Sequence, residues 1–564
     1  MKKFFLLPLI FTFFIGQTQN PLLSEDYSKQ NRWVDSIYNN LDLEEKIGQL
    51  ITVWVATQYG DDEIKHISKL IEDYKLGGLI FSLGDIKSQA KAINKFQKQS
   101  KVPLLISMDA EWGIGMRLDD GFSFPYNMTL GAIENDSLIY QVGKRIGFHA
   151  KRLGVQINFA PVVDINTNPA NPIIGFRSFG EDKYNVSNKA LNYLKGMHHY
   201  GIMGAAKHFP GHGDTETDSH LTLPTIGFSK DRIDQVELYP FKKLIENGLD
   251  GIMTAHLNIP SLDKNKVSTL SKKVINNLLI NDLGFKGLVI TDALDMKAIV
   301  DFSKGDYPDV SALNAGNDLL LMPTDVAKSI KELKKAIQKN KISNKTLEKA
   351  VKKNLMAKYK SGLNNFKPIK IENIVEDLNQ DIDYALLDRL AEESMTLVKN
   401  QNTNLPLSIS DQESIGYVNM GDDSYNTFLK YLNKYSKVDH INQINKDSLI
   451  EISKNYDKVI VGLHKSDKSP FGEYKFTDLE ISIINDLKKL TDLTLVVFSK
   501  PYSIFDLNID DIQSILIAYQ NSPVFQEKAA QAIFGAINVK GKLPVTINKD
   551  IPVNTTIKLK KKRF

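Results

Sequence analysis

The chain has 564 residues, of which 42% are hydrophobic and 24% are charged, and its formal net charge at neutral pH is +4. A chain of this length exceeds one ordinary hydrophobic core, so two or more domains are expected, and the composition is that of a globular protein. The net charge is small, and much of it comes from the last residues, KLKKKRF, so the sequence gives no reason to expect a nucleic-acid partner.

The N-terminus has the layout of a secretory signal peptide. MKKFFLLPLIFTFFIGQTQN begins with two lysines, continues with an apolar run from Phe4 to Ile15, and ends in small and polar residues. The apolar run is short for a membrane span, although an uncleaved anchor is the alternative. No cysteine occurs in the sequence, which excludes a lipoprotein anchor, disulfides and thiolate metal ligands. We therefore predict a signal peptide at residues 1–19 and a soluble, exported mature protein, periplasmic or secreted, with no stable membrane anchor.

Residues 25–360 are predicted to form a (β/α)8 barrel. Asp42 and Glu45 in LDLEEKIGQLI have the spacing of a helix capping box. Eight apolar runs follow, separated by amphipathic segments, as expected for strands that are buried on both faces. A doubly wound sheet is the alternative for the same alternation. The runs are LITVWVA (50–56), GGLIFS (77–82), PLLISMD (103–109), VQINFAPVVD (155–164), GIMGAAKH (201–208), GIMTAH (251–256), GLVITD (287–292) and DLLLMP (318–323).

Ionisable residues end five of these eight runs. In a barrel the C-terminal ends of the strands meet on one face, where the following loops build the active site. We therefore predict one pocket lined by the residues at these ends, which are Asp109, Asp164, Lys207 with His208, His256 and Asp292.

Residues 361–380 are predicted to connect the barrel to a second domain at 381–564. This domain is predicted to open with a helix at about residues 381–399 and to contain a parallel sheet built from SIGYVNM, KVIVGLH, LTLVVFS and SILIAYQ. It has no GxGxxG or P-loop sequence, so no nucleotide site is expected. The predicted fold class is α/β, a (β/α)8 TIM-type barrel followed by a smaller α/β (αβα) sandwich domain.

The stretch KHFPGHGDTETDSH (207–220) allows two kinds of chemistry. In the first, His208 and His212 bind a metal, with His220 or an aspartate completing the site. A proline and two glycines make the stretch a loop, however, so the His-x3-His spacing does not place both imidazoles on one helical face. Neither a metal nor another cofactor is expected.

The second kind of chemistry is acid/base catalysis. Asp292, at the end of GLVITD, can supply a fixed carboxylate, and a neighbouring Asp218 can orient the imidazole of His220. An imidazole with a pKa of about 6.5 both gives and takes a proton near neutral pH. Spacing alone also allows a loop in which His220 only hydrogen-bonds the backbone.

The same stretch resembles the K-H-(F/I)-P-G-(H/D)-G-x4-D-(S/T)-H signature of β-N-acetylglucosaminidases in glycoside hydrolase family 3. INFAPVVDINTNPANPIIGFRSFGED, GIMTAHLNIPSLD and GLVITDALDM agree in the same order. AEESMTLVKNQNTNLPL and GKLPVTI resemble the family's C-terminal domain, so the resemblance covers almost the whole mature chain.

The resemblance implies a role for each matching residue. Asp292 is expected to be the nucleophile that forms a covalent glycosyl-enzyme, His220 the general acid/base and Asp218 its partner. Five residues fall on positions that hold the terminal N-acetylglucosamine, namely Asp109, Arg117, Arg177, Lys207 and His208. Others are expected to support the loop and the barrel mouth, namely Asp164, His212, Asp214 and His256.

The implied reaction is removal of terminal N-acetylglucosamine, with retention, from peptidoglycan fragments or chitin-type oligosaccharides. Alternatives are a β-glucosidase or xylosidase of the same family, a variant that uses phosphate as acceptor, a metallohydrolase, and a non-catalytic cell-wall-binding protein. The carbohydrate substrate is the partner that the sequence indicates, and it indicates no oligomeric state.

Three features depart from the family pattern. In DAEWGIGMR, Trp112 and Ile114 are expected to alter the pocket wall between Asp109 and Arg117. Glu473 in PFGEYKF is expected to be an ordinary loop residue, because the D-S-H motif already supplies an acid/base. A third, β-lactamase-like domain found in some similar proteins is either lacking or lost by truncation.

Overall fold

The computed structural model of the chain describes residues 20–215, 223–296, 299, 307–408, 413–422, 425–442 and 445–562. The predicted signal peptide and the predicted catalytic residues Asp218 and His220 lie outside the described residues. In the stretches that are described, no helix combines the length and apolar character needed to cross a membrane.

Eight parallel strands form the predicted barrel. They follow the chain order around the barrel, and a bridge between Ile290 and Leu319 joins the last two strands. The predicted (β/α)8 architecture is therefore confirmed, and each predicted apolar run corresponds to one strand, with β5 extending one residue beyond its run. The strands are β1 (Ile51–Val55), β2 (Gly78–Phe81), β3 (Leu105–Met108), β4 (Ile157–Asn158), β5 (Met203–Phe209), β6 (Gly251–Thr254), β7 (Leu288–Thr291) and β8 (Leu320–Leu321).

Helices surround the barrel strands. The predicted capping box is present, with the Asp42 carboxylate accepting the Glu45 backbone N–H and the Glu45 carboxylate accepting that of Asp42. The α-helices are Tyr27–Asn39, Leu43–Gly48, Gly60–Tyr74, Ile86–Gln99, Asn127–Gly131, Asp136–Leu153, Lys183–His198, Lys230–Gln235, Leu238–Glu246, Pro308–Ala315, Val326–Gln338 and Asn344–Lys360, with a π-helix at Lys273–Asp282. Short 3₁₀ helices lie at Thr57–Tyr59, Ile114–Met116, Gly175–Arg177, Ser268–Leu270 and Leu363–Asn365.

The helix Asn344–Lys360 crosses the N-terminal end of the barrel. Its lysines reach residues that immediately precede three different strands: Lys353 bonds Asp318, Lys358 bonds Gln49 and Lys360 bonds Asp250. The barrel is thereby closed on the side away from the predicted pocket.

The first described residues join this closed end. Leu22 is fully buried and belongs to the apolar cluster that fills the barrel interior. The Gln30 amide donates to the carbonyls of both Leu22 and Met356, and Lys360 donates to the carbonyl of Pro21. The start of the described chain is thus fastened to the last barrel helix.

The second domain contains a six-stranded sheet in the order β11-β10-β12-β13-β14-β9. β9 pairs antiparallel with β14 and the other pairs are parallel, so the sheet is mixed and not wholly parallel as predicted. The strands are β9 (Thr396–Asn400), β10 (Ile415–Gly421), β11 (Val438–His440), β12 (Lys458–His464), β13 (Asp492–Phe498) and β14 (Ser514–Ile517).

β9 occupies the end of the segment that was predicted to be helical. The helix Asp381–Ser394 stops before Met395, whose backbone is no longer helical, and Thr396 begins the strand. β-Branched Thr396 and Val398 favour an extended chain, and pairing with β14 stabilises it. The other helices of this part of the chain are Ile374–Asp377, Thr427–Leu432, Lys446–Ser453, Asp478–Leu487 and Pro523–Ile533, with short 3₁₀ helices at Gln401–Thr403 and Pro501–Ile504.

Direct hydrogen bonds hold the two parts of the chain together. The Asn166 amide donates to the Tyr502 hydroxyl at 2.8 Å, and the Thr546 hydroxyl donates to Glu181 at 2.6 Å. The Tyr126 hydroxyl donates to the carbonyl of Asp467 at 2.7 Å. These contacts bring the loop after β12 to the C-terminal face of the barrel.

Candidate active site

A cavity of about 360 Å3 lies at the C-terminal ends of the barrel strands. It is lined by six of the eight predicted site residues, namely Asp109, Arg117, Arg177, Lys207, His208 and Asp292. The other two, Asp218 and His220, lie outside the described residues. Strand ends that are far apart in the sequence therefore converge on one pocket, as parallel barrel strands require.

Asp109 anchors one side of the cavity. It follows β3, and its two carboxylate oxygens accept separate bonds from Arg117 Nη2 and Lys207 Nζ, each at 2.7 Å. Burial opposes ionisation of Asp109, but the charges of Lys207 and Arg117 outweigh it and hold its pKa below its usual range. The result is a charged, oriented set of donors and acceptors at the pocket wall.

Glu111 is a site residue that the sequence reasoning missed. Its carboxylate accepts bonds from Arg177 Nε at 3.0 Å and Arg177 Nη2 at 2.7 Å, and Lys207 Nζ lies 2.7 Å from the same group. Burial opposes its ionisation, yet Arg177 and Lys207 hold its pKa far below the usual value. An acidic residue three positions after the end of β3, inside an otherwise apolar and glycine-rich run, was the available signal.

Asp164 organises the loop after β5. Its carboxylate accepts the backbone N–H of His212 at 2.7 Å and the backbone N–H of His208 at 3.2 Å, and it lies 2.7 Å from His208 Nδ1. Gly213 is needed in this loop, because a Cβ there would lie 1.8 Å from the Ile165 carbonyl oxygen. The Lys207–His208 peptide bond is cis.

The two described histidines of the loop are in different environments. His208 contacts Asp164 through Nδ1 and lies 3.3 Å from Arg177 Nη2 through Nε2. His212 Nδ1 lies 2.8 Å from the Thr215 hydroxyl, while its buried Nε2 has no hydrogen-bond partner among the described residues. Burial and the nearby His208 lower the pKa of His212 to about 4. His212 is therefore a neutral ring at the pocket wall near neutral pH.

Asp292 faces the cavity from the end of β7. Its Oδ1 accepts the backbone N–H of Ala293 at 2.8 Å. Burial opposes ionisation, but His256, His208, the Ala293 N–H and Lys207 together hold the pKa of Asp292 below its usual range. His256 Nε2 lies 2.9 Å from the Ala293 carbonyl, which ties the end of β6 to the residue after Asp292. Asp292 is thus an ionised carboxylate at neutral pH.

The pocket wall differs from the sequence prediction. Trp112 does not line the cavity; its ring packs edge-on against Tyr126 at 4.9 Å, in an apolar cluster with Tyr502 of the second domain. Ile114 is fully buried in the barrel core. Met116 lines the cavity from this stretch instead. Within the 3₁₀ turn Ile114–Met116, Ile114 packs into the core and Met116 faces the pocket.

Among the described residues of the second domain, one side chain lines the cavity. Phe471, in the loop after β12, lines the pocket, and its ring centroid lies 6.0 Å from the Arg177 guanidinium carbon. Glu473 does not line the cavity; its carboxylate accepts the backbone N–H groups of Tyr474 and Lys475. Only tertiary packing places Phe471 here, so no local pattern could have identified it.

The arrangement suits a small polyhydroxylated molecule. Charged donors and acceptors surround one side of the cavity, and charge-assisted hydrogen bonds are stronger than neutral ones. The ionised Asp292 lines the same cavity, where its carboxylate is available to a reacting carbon atom. The cavity is at the small end of ligand pockets, which matches a single sugar ring.

Two family descriptions match consecutive parts of the chain. The Glycosyl hydrolase family 3 N terminal domain matches residues 42–356, and the Glycosyl hydrolase family 3 C-terminal domain matches residues 395–563. The first alone covers more than half of the chain, and it contains all eight barrel strands.

Curated relatives of the chain agree with these two matches. The chain is 35% identical to beta-hexosaminidase A of Pseudoalteromonas piscicida over 53% of its own length and 55% of the relative's, so it spans about half of that protein. It is 35% identical to a beta-hexosaminidase of Haemophilus influenzae (strain PittEE) over 45% of its length and 74% of the relative's.

The whole architecture also occurs in solved structures. A glycoside hydrolase family 3 beta-N-acetylglucosaminidase from Paenibacillus sp. aligns with a TM-score of 0.75 and 29% identity, covering 92% of this chain and all of that one. A beta-glucoside phosphorylase, BglX, aligns with a TM-score of 0.81 over 94% of this chain and 98% of that one, but at 24% identity it supports the fold alone. With both domains matched in order and the carboxylate pocket at the barrel mouth, the chain belongs to glycoside hydrolase family 3.

Proposed function

We propose that the protein is a retaining exo-β-N-acetylglucosaminidase that removes terminal N-acetylglucosamine from oligosaccharides. The observation that carries the proposal is the ionised Asp292 in the same small cavity as the Asp109–Lys207–Glu111 ion-pair network. The names of the relatives, beta-hexosaminidase and beta-N-acetylglucosaminidase, support the choice of sugar.

In the first step Asp292 attacks the anomeric carbon of the bound sugar. The bond from that carbon to the leaving oxygen breaks, and His220 gives its proton to this oxygen. Asp292 has a pKa below its usual range, so its carboxylate is deprotonated and ready to attack at neutral pH. Asp218 holds the imidazolium of His220 in the productive orientation.

In the second step water replaces the carboxylate. His220 takes a proton from the water molecule, the new bond to the anomeric carbon forms, and the bond to Asp292 breaks, so the configuration is retained. The Asp109, Lys207 and Arg177 groups hold the non-reducing sugar hydroxyls throughout. A cavity of about 360 Å3 admits one sugar ring, which makes the enzyme exo-acting.

Replacement of the two reacting groups tests this function. We expect Asp292→Ala and His220→Ala to lower kcat on p-nitrophenyl N-acetylglucosaminide by roughly a thousandfold or more, because each removes a group needed only in the transition state. Azide added to Asp292→Ala is expected to give the α-glycosyl azide, and assays with and without phosphate identify the acceptor. Thermal unfolding checks that both variants are folded. Parent-like turnover in either folded variant contradicts the proposed mechanism.

A further inference from the structure

Lys500 is a buried cation at the junction of the two domains, and the proposed mechanism gives it no role. It follows β13 and caps the 3₁₀ helix Pro501–Ile504, and only 6% of its surface is exposed. Its ammonium lies between two aromatic rings, 4.8 Å from the ring centroid of Tyr474 and 5.3 Å from that of Phe176. Among the described residues this ammonium has no hydrogen bond or ion pair. A desolvated ammonium in such a setting is stabilised by cation–π attraction.

The two rings belong to different domains, and each is close in sequence to a side chain that lines the candidate active-site cavity. Phe176 directly precedes Arg177 in the barrel, and Tyr474 follows Phe471 by three positions in the loop after β12. Arg177 and Phe471 meet at the cavity, where the guanidinium carbon lies 6.0 Å from the ring centroid. The ammonium thus connects the same two segments that meet over the pocket.

Neighbouring contacts define the positions of both rings. Phe176 stacks on Tyr126 with ring centroids 5.3 Å apart, and the Tyr474 hydroxyl lies 3.4 Å from the carbonyl oxygen of Pro169. The lysine Nζ also lies beside the Gly175 backbone, since an ideal Cβ there would be 3.5 Å from it. The ammonium is therefore enclosed by the barrel segment on one side and by the loop after β12 on the other.

The charge of Lys500 is sensitive to pH in the range where the enzyme can be assayed. Burial lowers the pKa of Lys500 to about 8, although the nearby Glu473 carboxylate raises it. Tyr474, which faces the ammonium, and Tyr502, on the same turn, are neutral there because burial raises the pKa of each hydroxyl. Arg177, on the barrel side, stays protonated because neighbouring carboxylates outweigh burial and raise its pKa. Raising the pH through about 8 therefore removes the charge of Lys500 and leaves these neighbours unchanged.

We propose that Lys500 is a positioning residue whose ammonium draws the Phe176 and Tyr474 rings together. It thereby holds Arg177 and Phe471 in the arrangement that binds the sugar. Lys500 does not line the cavity, so it acts through these neighbours and not on the reacting atoms. This inference rests on the proposed function for the identity of the ligand, and it assigns the second domain a role in binding.

The pH dependence of KM tests this role. In the parent we expect KM for p-nitrophenyl N-acetylglucosaminide to rise by roughly three- to fivefold from about pH 7 to about pH 9, because the ammonium loses its charge. Lys500→Met keeps the unbranched side chain without the charge, so its KM should already be raised at neutral pH, with kcat within about twofold of the parent. Lys500→Arg stays charged across this range and should keep KM low at both ends. Rescue by arginine but not by methionine separates the charge from side-chain packing.

Lys434→Met is the matched control for the loss of a cation–π contact. Lys434 Nζ lies 3.9 Å from the Tyr431 ring centroid, but both residues belong to the second domain and neither lines the cavity. This variant should reproduce the parental KM at every pH, and thermal unfolding checks that all variants are folded. The positioning role is overturned if folded Lys500→Met has the parental KM at neutral pH, or if the KM of Lys500→Arg rises with pH as it does in the parent.

A second readout does not depend on activity. Trp112 packs in the same apolar cluster as Phe176 and Tyr474, so its emission should change as the ammonium loses its charge. We expect the tryptophan emission of the parent to shift between about pH 7 and about pH 9, and this shift to be absent from Lys500→Arg. Equal emission behaviour of the two proteins contradicts the link between the domains. A parent that shows the shift but hydrolyses no N-acetylglucosaminide contradicts the proposed function alone.

Discussion

At the scale of single residues, the site is built on a chain of alternating charges. Arg117, Asp109, Lys207, Glu111 and Arg177 are linked in this order by ion pairs. Asp109, Lys207 and Glu111 each pair with two neighbours. Removing any one of these three charges therefore leaves two residues of the opposite charge without that counter-ion. Breaking a buried pair in this way is much more damaging than losing an exposed one.

Glu111→Gln tests the contribution of this buried carboxylate. We expect the free energy of unfolding to fall by about 3 kcal/mol, because Arg177 and Lys207 lose a buried counter-ion. KM should rise more than kcat falls, since both cations lose their orientation toward the sugar. Denaturant titration and steady-state kinetics measure the two effects.

The control for this variant is an exposed ion pair of the same kind. Asp62 pairs with Lys65 at 3.3 Å, and both side chains are mostly exposed. Asp62→Asn should leave both the unfolding midpoint and the kinetics at the parental values. If Glu111→Gln behaves like this control, the ion-pair chain does not hold the site together.

At the scale of elements, the helix Asn344–Lys360 carries two buried lysines with different partners. Lys353 Nζ lies 2.7 Å from the Asp318 carboxylate. Lys358 is fully buried, and among the described residues its ammonium has only the neutral Gln49 side-chain oxygen, at 2.6 Å. Burial therefore lowers the pKa of Lys358 to about 7. One lysine of this helix stabilises the fold by pairing, and the other opposes folding when it is charged.

Lys358→Met should make the protein more stable, and more so at lower pH. The pKa of Lys358 is near 10.5 in the unfolded state and about 7 in the folded state. Between these two pH values the unfolded state binds more protons, so the free energy of unfolding of the parent rises with pH. The gain from methionine is expected to be on the order of 3 kcal/mol below about pH 7 and to vanish above the unfolded pKa. Thermal unfolding across this pH range measures it.

Lys353→Met in the same helix is the control for that experiment. It removes the counter-ion of buried Asp318, so it should destabilise the protein at neutral pH. If both methionine variants lower the unfolding midpoint, Lys358 is not the unpaired charge that the geometry indicates.

At the scale of the whole molecule, the second domain completes the pocket of the first. The bonds of Asn166 to Tyr502 and of Thr546 to Glu181 join the second domain to the barrel. The bond from Tyr126 to the carbonyl of Asp467 holds the loop after β12 at the barrel mouth. Phe471 from this loop then lies against Arg177. The cavity that Asp292 lines therefore has walls from both domains, although every charged group described in it comes from the barrel.

Phe471→Ala tests whether the second domain takes part in binding. We expect KM for p-nitrophenyl N-acetylglucosaminide to rise by roughly three- to tenfold with little change in kcat, because the ring covers the cavity without touching the reacting atoms. Phe505→Ala is the matched control: it removes a phenylalanine of similar exposure, 51% against 53%, outside this cavity. Equal kinetics in the two variants would show that the second domain only supports the barrel.

The sequence predicted the features that depend on local pattern. All eight barrel strands follow from apolar runs, because strands buried on both faces need no polar alternation. The same geometry places Asp109, Lys207, His208 and Asp292 in the cavity, but Asp164 and His256, which were predicted to line it too, are not among its lining residues. They bond the loop after β5 and the residue after Asp292 instead. Glu111 and Phe471 depend on contacts between distant segments, and β9 was hidden because its short strand directly continues a strong helical pattern. Trp112 was misplaced because its partners, Tyr126 and Tyr502, are distant in the sequence.

The fastening of the first described residues to the last barrel helix sets an order of events during biosynthesis. Gln30 bonds Met356 across 326 positions of the chain, so the segment containing Leu22 has no docking place until the entire barrel has been synthesised. Docking of this segment against the helix Asn344–Lys360 is therefore expected to be the last step in closing the N-terminal end of the barrel.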